Sequence, residues 1–359
     1  MGSPDIPQHG VSSGQSSPGD SFSWDGVLVP LIAVAAPLLV AVFPLLDWAL
    51  GLGGTSSQWR EPFSIYFIAI VLEAVPFILL GALLAGIMEI WLPADLLPRL
   101  TARAGRWGLL LTALAAPLFP VCECCVVMVV RGLLRKGFPL PHAIVYLLAA
   151  PILNPTVLAS TYIAFQDWNY PLIRALGGLL VALMAGWIFS LLPQKNMLKA
   201  ETVPLFTTLE PACGCGHDHS TAAPGWMSRW GQAAGRVTSD FLDMLPYFLI
   251  GVTIASAMKT FIPTEALTKL GEGPVSGPLV MMSTAFVLSL CAEADAFVAA
   301  SFTEFSFPAL MSFLILGPMF DIKLIMMYRP IFTWRTVLLL AVLVWAGVAL
   351  FVSLLGAPS

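Results

Sequence analysis

The sequence predicts an all-α polytopic membrane protein built from two inverted repeats, each with a broken or re-entrant helical hairpin. Three observations support this fold class. Hydrophobic residues make up 58% of the 359 residues and charged residues only 11%, and the mean hydropathy is +0.86, whereas soluble domains carry about 25% charged residues. Uncharged runs of about 20 residues, enough to cross a bilayer, recur along the chain. Finally, the two halves of the chain resemble each other.

The charge balance and the absence of catalytic motifs narrow the function. The chain has 17 basic and 21 acidic residues and a net charge of −4, so it lacks the basic surface that binds nucleic acid. It contains no glycine-rich phosphate loop and no nucleophile elbow. These features argue against an enzyme and against ATP-driven pumping by this chain alone. We expect any transport to be coupled to protons or to another gradient.

Nine apolar segments and one long polar interruption divide the chain. All nine should be helical, because lipid offers no other partner for backbone polar groups. They begin near Val27, Phe63, Trp107, His142, Pro171, Asp240, Gly277, Phe307 and Arg335. The predicted regions are a disordered Ser/Gly/Pro-rich tail (1–26), an extra N-terminal transmembrane helix and loop (27–62), transmembrane repeat 1 (63–193), a cytoplasmic Cys/His-containing linker (194–239) and transmembrane repeat 2 (240–357).

The internal repeat is clearest where the stretch from Glu73 lines up with the stretch from Asp243. Internal repeats are typical of secondary transporters, whose substrate site lies where the repeats meet. Chance similarity between apolar helices is the alternative. The matched pairs are Pro76 with Pro246, Gly81 with Gly251, Pro93 with Pro263 and Cys122 with Cys291.

Basic residues indicate the orientation of the repeats, because Lys and Arg accumulate in cytoplasmic loops. Opposite biases in equivalent loops require an odd number of crossings per repeat. The segments from Trp107 and Gly277, with the polar breaks CECC and CAEAD, are the candidates for re-entrant hairpins. This predicts seven crossings, and nine remain the alternative. Two loops of the first half carry Arg99, Arg103, Arg106, Arg131, Arg135 and Lys136, whereas the equivalent loops of the second half carry only Lys269 and Glu304. In the third pair of equivalent loops the bias is opposite, since the second half has Lys323, Arg329 and Arg335 and the first half only Arg174.

Two polar clusters interrupt apolar stretches at equivalent positions of the repeats. Ionisable residues inside membrane segments mark substrate or ion paths, and thiolates select Cu(I), zinc and similar soft ions. We predict that both clusters line one substrate pathway. The alternatives are that the cysteines pack as small apolar residues and that the second cluster's carboxylates only complement a helix dipole. The clusters are Cys122, Glu123, Cys124 and Cys125 in the first half, and Cys291, Glu293 and Asp295 in the second.

Two further symmetric pairs carry polar side chains. Asn154 and Asp321 stand at proline-containing breaks. Unwound carbonyls and polar side chains at such breaks coordinate ions in transporters, so both residues are assigned to the substrate pathway, with a purely structural kink as the alternative. Glu73 and Asp243 each precede a proline by three residues. They are candidates for proton coupling or, alternatively, for first-turn carboxylates.

The linker contains the tract CGCGHDH, with Cys213, Cys215, His217 and His219. Short Cys/His-rich tracts are typical of metal binding. The spacing of one residue within each pair is shorter than in structural zinc sites, and glycines keep the tract flexible. It predicts a weak metal-capture or metal-sensing loop, and a fortuitous cluster is the alternative.

The stretches CECCVVMVVRGLLRKGFPLPHAIVYLLAAPILNPTVLAST and LCAEADAFVAASF resemble a bacterial predicted-permease family that includes organoarsenical exporters and proposed copper/zinc efflux permeases. The resemblance spans roughly Phe63 to Leu355. Cys122 and Cys124 match the family pattern, whereas Cys125 and Met128 depart from it. The resemblance implies efflux of a thiophilic metal or metalloid compound across the bacterial inner membrane, in some members together with a second membrane subunit.

These observations together predict a multi-pass permease of the bacterial inner membrane and not an enzyme. The leading hypothesis is a secondary exporter of thiophilic metal ions such as copper or zinc. An exporter of trivalent organoarsenicals and a non-transporting metal-sensing membrane subunit are the alternatives. The expected partners are the lipid bilayer, the transported metal or metalloid and a second membrane subunit or a homodimer, with no nucleic acid. No resident cofactor is expected, apart from a metal on the linker.

Overall fold

The computed structural model describes residues 57–91, 107–118, 122–194, 197–199, 226–261 and 276–356. Within these ranges the regular elements are helices. The described residues also contain one isolated antiparallel bridge, between Leu198 and Phe332. The all-helical class is therefore confirmed for this part of the chain. The predicted N-terminal tail, the apolar run from Val27 and the Cys/His tract of the linker lie outside these ranges.

The described helices form two sets that follow the same order. Each set begins with a long helix, continues with two short helices on either side of a cysteine and a helix interrupted at Asn154 or Asp321, and ends with a long helix. The recurrence agrees with an internal repeat, while the inverted orientation stays a prediction. The first set is α1 (Ser57–Trp91), α2 (Gly108–Ala115, followed by the 3₁₀ turn Ala116–Leu118), α3 (Glu123–Arg135), α4 (Leu140–Leu153), α5 (Pro155–Phe165) and α6 (Asn169–Leu191). The second set is α7 (Trp226–Phe261), α8 (Ser276–Leu288), α9 (Ala292–Ser301), α10 (Phe307–Met319), α11 (Ile322–Tyr328) and α12 (Trp334–Leu355).

Six of the described spans are long and apolar enough to cross a membrane. The segments containing the two cysteine breaks are not among them, because α2 with its 3₁₀ turn and α8 are apolar but short. Re-entry of these segments, and the crossing predicted from Val27, stay predictions. The six spans are Pro62–Met88, Leu140–Phe165, Asn169–Leu191, Val237–Phe261, Phe307–Tyr328 and Trp334–Leu355.

The interruptions at Asn154 and Asp321 have a local cause. Both residues leave the helical conformation, with φ −58° and ψ 125° at Asn154 and φ −139° and ψ 178° at Asp321. Their Oδ1 atoms accept hydrogen bonds from backbone N–H groups of the next helix, from Thr156 at 3.0 Å and from Leu324 at 2.7 Å. Both residues are thus N-caps, so Asn154 has a structural function whether or not it also contacts substrate.

The two sets of helices interlock. Helix α1 packs along α7, α9 packs against α5, and α11 contacts α3, so each set contributes helices to the interior of the other. Close approach of α1 to α3 requires a glycine, because a Cβ on Gly81 would lie 2.8 Å from the carbonyl oxygen of Cys125. Gly251 allows the equivalent approach of α7 to α11, where a Cβ would lie 2.9 Å from Cα of Lys323. This interlocking brings the two polar clusters into the interior.

Candidate functional site

Two helix N-termini meet in the buried interior. Cys122 and Cys291 have extended backbones, with φ −73° and ψ 168° and with φ −71° and ψ 146°, and each immediately precedes a new helix, α3 and α9. The first N–H of α9, from Ala292, donates to Oε2 of Glu123 at 3.5 Å. The structure therefore brings together the two clusters that the sequence singles out. The positive end of the α9 dipole stabilises the Glu123 carboxylate.

The Lys323 side chain links two buried carboxylates, those of Glu123 and Asp321. Nζ of Lys323 lies 3.0 Å from Oε1 of Glu123 and 3.4 Å from Oδ2 of Asp321. It also donates to the carbonyl oxygen of Ser289 at 3.2 Å, and the Ser289 hydroxyl donates to Oδ2 of Asp321 at 2.6 Å. Ser289 has φ 48° and turns the chain between α8 and α9. Since Glu123, Lys323 and Asp321 are each at most 1% exposed, the single ammonium offsets one of the two carboxylate charges, and the backbone N–H groups and the Ser289 hydroxyl stabilise the remaining one.

A second buried ion pair lies beside the first. Nη2 of Arg174, on α6, is 2.8 Å from Oδ2 of Asp295, on α9. The guanidinium also donates to the Thr161 hydroxyl at 2.7 Å and to the Ala292 carbonyl oxygen at 3.3 Å. Arg174 thus ties α5, α6 and α9 together around the same helix N-terminus that faces Glu123.

The four cysteines of the two clusters are buried and reduced. Cys124 and Cys291 lie within electrostatic range of Glu123, and Cys122 lies within range of Glu293. Cys125 packs against α1, because its Sγ would lie 3.0 Å from a Cβ on Gly81. Three of the four thiols therefore lie near the charged centre, and the fourth packs against a neighbouring helix.

The part of the chain that the structure describes contains no group of three or more His, Cys, Asp and Glu side chains placed to hold a metal ion. Glu123 and Asp295, offered by the sequence as hard ligands, are instead paired with Lys323 and Arg174. The linker residues Cys213, Cys215, His217 and His219 lie outside the described residues, so their metal binding stays a prediction.

Glu73 and Asp243, the candidate coupling residues, have different surroundings. Asp243 accepts from Arg131 at 3.0 Å, while the buried Asp240 pairs with Arg131 at 3.4 Å and with Arg135 at 2.6 Å. These contacts fasten the C-terminal part of α3 to α7. Glu73 is exposed on α1, within electrostatic range of Cys291 and Glu293. The symmetry of this pair in sequence is not kept in its contacts.

Sequence reasoning missed the roles of Lys323 and Arg174. Both were counted as loop charges in the orientation argument. That assignment is wrong, because Lys323 is 1% and Arg174 0% exposed and both pair with buried carboxylates. Arg131 is also buried, so it does not stand in a loop. The available signal was that Arg174 lies three residues after Pro171, where an apolar run begins, and that Lys323 lies two residues after the break at Asp321.

The fold and its interior define a multi-pass helical membrane protein with ion pairs buried where helix breaks meet. Residues 59–357 match a family of predicted permeases, and the chain belongs to that family. Membership groups the chain with transport proteins rather than with enzymes. No solved structure matches this chain.

Three relatives show the extent of the similarity. The UPF0718 protein YcgR of Bacillus subtilis (strain 168) is 39% identical over 287 residues, covering 78% of this chain and 94% of the relative. A Streptococcus mutans protein, named as a proposed two-component membrane permease complex subunit, is 33% identical over 274 residues, covering 76% and 87%. The UPF0718 protein YraQ of Escherichia coli (strain K12) is 28% identical over 236 residues, covering 64% and 61%.

Proposed function

We propose that this chain is a secondary permease of the bacterial inner membrane that exports a thiophilic substrate past the meeting point of α3 and α9. The observation that carries the proposal is the contact between two helix N-termini, each preceded by a buried cysteine, at a cluster of buried charges. Charged groups in membrane segments are costly and mark transport paths, and broken helices near the midplane build the substrate sites of secondary transporters.

The arrangement favours a substrate that needs thiols alone. Cys122, Cys124 and Cys291 lie near the centre, whereas the nearby carboxylates of Glu123 and Asp295 already have basic partners. A trivalent organoarsenical exchanges each As–OH group for an As–S bond to a thiol, releasing one water per bond, and requires no carboxylate ligand. A bare copper or zinc ion prefers a set of several ligands, which the described residues do not assemble. We therefore propose trivalent organoarsenicals as the substrate class.

Copper or zinc export is the second candidate, and the linker tract favours it. In this proposal Cys213, Cys215, His217 and His219 capture metal weakly on the cytoplasmic side. Proton coupling would involve Glu73 or Asp243. The name of the Streptococcus mutans relative supports a second membrane subunit as a partner, and the non-transporting sensor subunit is the rival in which this chain moves nothing.

Metal and arsenic contents of cells expressing the chain test the substrate. Expression should lower the arsenic content of cells exposed to a trivalent methylarsenical. Cys122→Ala and Cys291→Ala should abolish this effect, because each removes a thiol beside the charged centre. Cys125→Ala is the matched control and should retain it, since that thiol packs against α1. Unchanged arsenic with lowered copper or zinc would favour the second candidate, and unchanged contents of all three would refute both.

Purified chain in proteoliposomes separates a transporter from a sensor. Substrate flux by the isolated chain would exclude the sensor, and flux that appears only with a second protein would support a complex. Replacing the four linker ligands should reduce export at low substrate concentration and leave saturating flux largely intact. If the linker variant lost flux at every concentration while Cys122→Ala transported normally, the two sites would be assigned the wrong way round.

A further inference from the structure

Lys323 occupies the position of a bound cation. Its ammonium contacts one carboxylate oxygen from each half of the chain, Oε1 of Glu123 and Oδ2 of Asp321, and the carbonyl oxygen of Ser289 at the break before α9. In secondary transporters, carboxylates and carbonyls freed at broken helices coordinate the coupling cation. We propose that these three groups form a monovalent-cation site and that Lys323 is a tethered cation that fills it.

The two carboxylates are held in place without the lysine. Glu123 uses its other oxygen, Oε2, to accept from Ala292 at the N-terminus of α9. Asp321 uses its other oxygen, Oδ1, to accept from Leu324 in the first turn of α11. Each carboxylate is therefore anchored on a helix N-terminus and directs its second oxygen at the same point. Removing the ammonium leaves a preorganised site in which two buried negative charges face each other.

The ammonium can leave one carboxylate without losing the other. The backbone of Lys323 is fixed, because Gly251 of α7 packs directly on its Cα. The flexible stem beyond Cα allows the ammonium to move from Glu123 towards Asp321, which it already contacts at 3.4 Å. Lys323 contacts both carboxylates at once, but its single charge neutralises only one of them, so a shift towards Asp321 leaves Glu123 without its cation.

The tethered cation has a consequence for transport, and this consequence rests on the proposed function. Glu123 becomes available to a cationic species or a proton only when Lys323 shifts to Asp321. Entry of a proton or of another coupling cation therefore competes with an internal cation, and the wild-type chain needs no external sodium or potassium to fill the site. Lys323 therefore acts on transport only through the availability of Glu123.

The experiment measures cation-dependent stability of purified full-length chain, so it does not depend on transport. The substitution Lys323→Met empties the site. When Na⁺ or Li⁺ replaces choline at constant ionic strength, the Tm of this variant should rise progressively, by several degrees at saturation. Wild-type chain should show no difference between Na⁺ and choline. Lys323→Met combined with Glu123→Gln should lose the response, and Lys259→Met, which removes another lysine of the membrane region, should not acquire one.

Each outcome decides the proposal. A Lys323→Met variant as insensitive to Na⁺, Li⁺ and K⁺ as wild type would overturn it. If this variant unfolds in choline, the yield of monodisperse protein in size-exclusion chromatography replaces Tm, and recovery in an alkali cation supports the proposal. The proposal is overturned if Lys323→Met does not recover in any alkali cation while the double variant, Lys323→Met with Glu123→Gln, folds. Unchanged arsenic, copper and zinc contents in cells would refute the proposed function and leave this result unaffected.

Discussion

The clearest test of the buried interior compares two Arg–Asp pairs of nearly equal length. Arg174 and Asp295 are 2.8 Å apart with side chains 0% and 3% exposed, whereas Arg131 and Asp243 are 3.0 Å apart with Asp243 52% exposed. The perturbation is Asp295→Asn, with Asp243→Asn as the matched control. The two substitutions make the same chemical change and differ in the burial of the carboxylate.

The expected free energies of unfolding follow from burial. Asp295→Asn leaves the Arg174 charge buried with only neutral acceptors, which are the introduced amide oxygen, the Thr161 hydroxyl and the Ala292 carbonyl. Breaking a buried pair in this way costs about 3–5 kcal/mol. For Asp243→Asn, solvent screening limits the cost to about 0–1 kcal/mol. Arg174→Met should cost as much as Asp295→Asn, and the double variant less than either single one, because no unpaired charge remains.

The assay is equilibrium unfolding in mixed micelles, with increasing fractions of a denaturing detergent and helix content as the signal. A double-variant cycle over Arg174 and Asp295 isolates the interaction between the two side chains. The reasoning would be refuted if Asp295→Asn and Asp243→Asn had equal effects, or if the two single substitutions were additive. Either result would mean that solvent or another group compensates the Arg174 charge.

Three further predictions concern packing, capping and topology. Gly81→Ala should destabilise the chain and disturb the α1–α3 contact, because the added Cβ would lie 2.8 Å from a backbone oxygen of α3. Gly235→Ala should have no such effect, because a Cβ there would have nothing within 4 Å. Thermal unfolding in detergent measures both variants. Asn154→Ala removes an N-cap and should cost about 0.5–2 kcal/mol in the same unfolding assay, and an unchanged stability would contradict the cap. Single cysteines introduced as Trp107→Cys and Lys136→Cys flank the first predicted hairpin. After subtraction of wild-type labelling, an impermeant maleimide should modify both cysteines from the same side of the membrane. Modification from opposite sides would rule out re-entry.

Much of the architecture was accessible from the sequence, because apolar runs and their interruptions are local features. The helices and the breaks at Cys122, Cys291, Asn154 and Asp321 all arise within a few residues of the signal that predicts them. Membership of the permease family followed from the same motifs and is confirmed by the match over residues 59–357. The orientation of the repeats, the re-entrant hairpins and the substrate stay predictions.

The basic partners of the buried carboxylates were not accessible in this way. Glu123 and Lys323 are 200 positions apart in sequence, and Arg174 and Asp295 are 121 apart. A lysine or arginine near the end of an apolar run looks the same whether it reaches a headgroup or turns inward. The sequence therefore suggested loop charges where the structure contains ion pairs.

The sequence by itself determined that the chain lies in a lipid bilayer, that it is helical and where its helices break. These follow from composition and from backbone chemistry, since lipid forces every spanning segment to satisfy its own hydrogen bonds. Only the tertiary structure decided which face of each helix is inside and which charges meet. In a membrane both surroundings are apolar, so hydropathy does not distinguish a lipid-facing side chain from a buried one. The pairing of Lys323 with Glu123 and of Arg174 with Asp295 resolves that ambiguity, because an interior charge is stable only beside its partner.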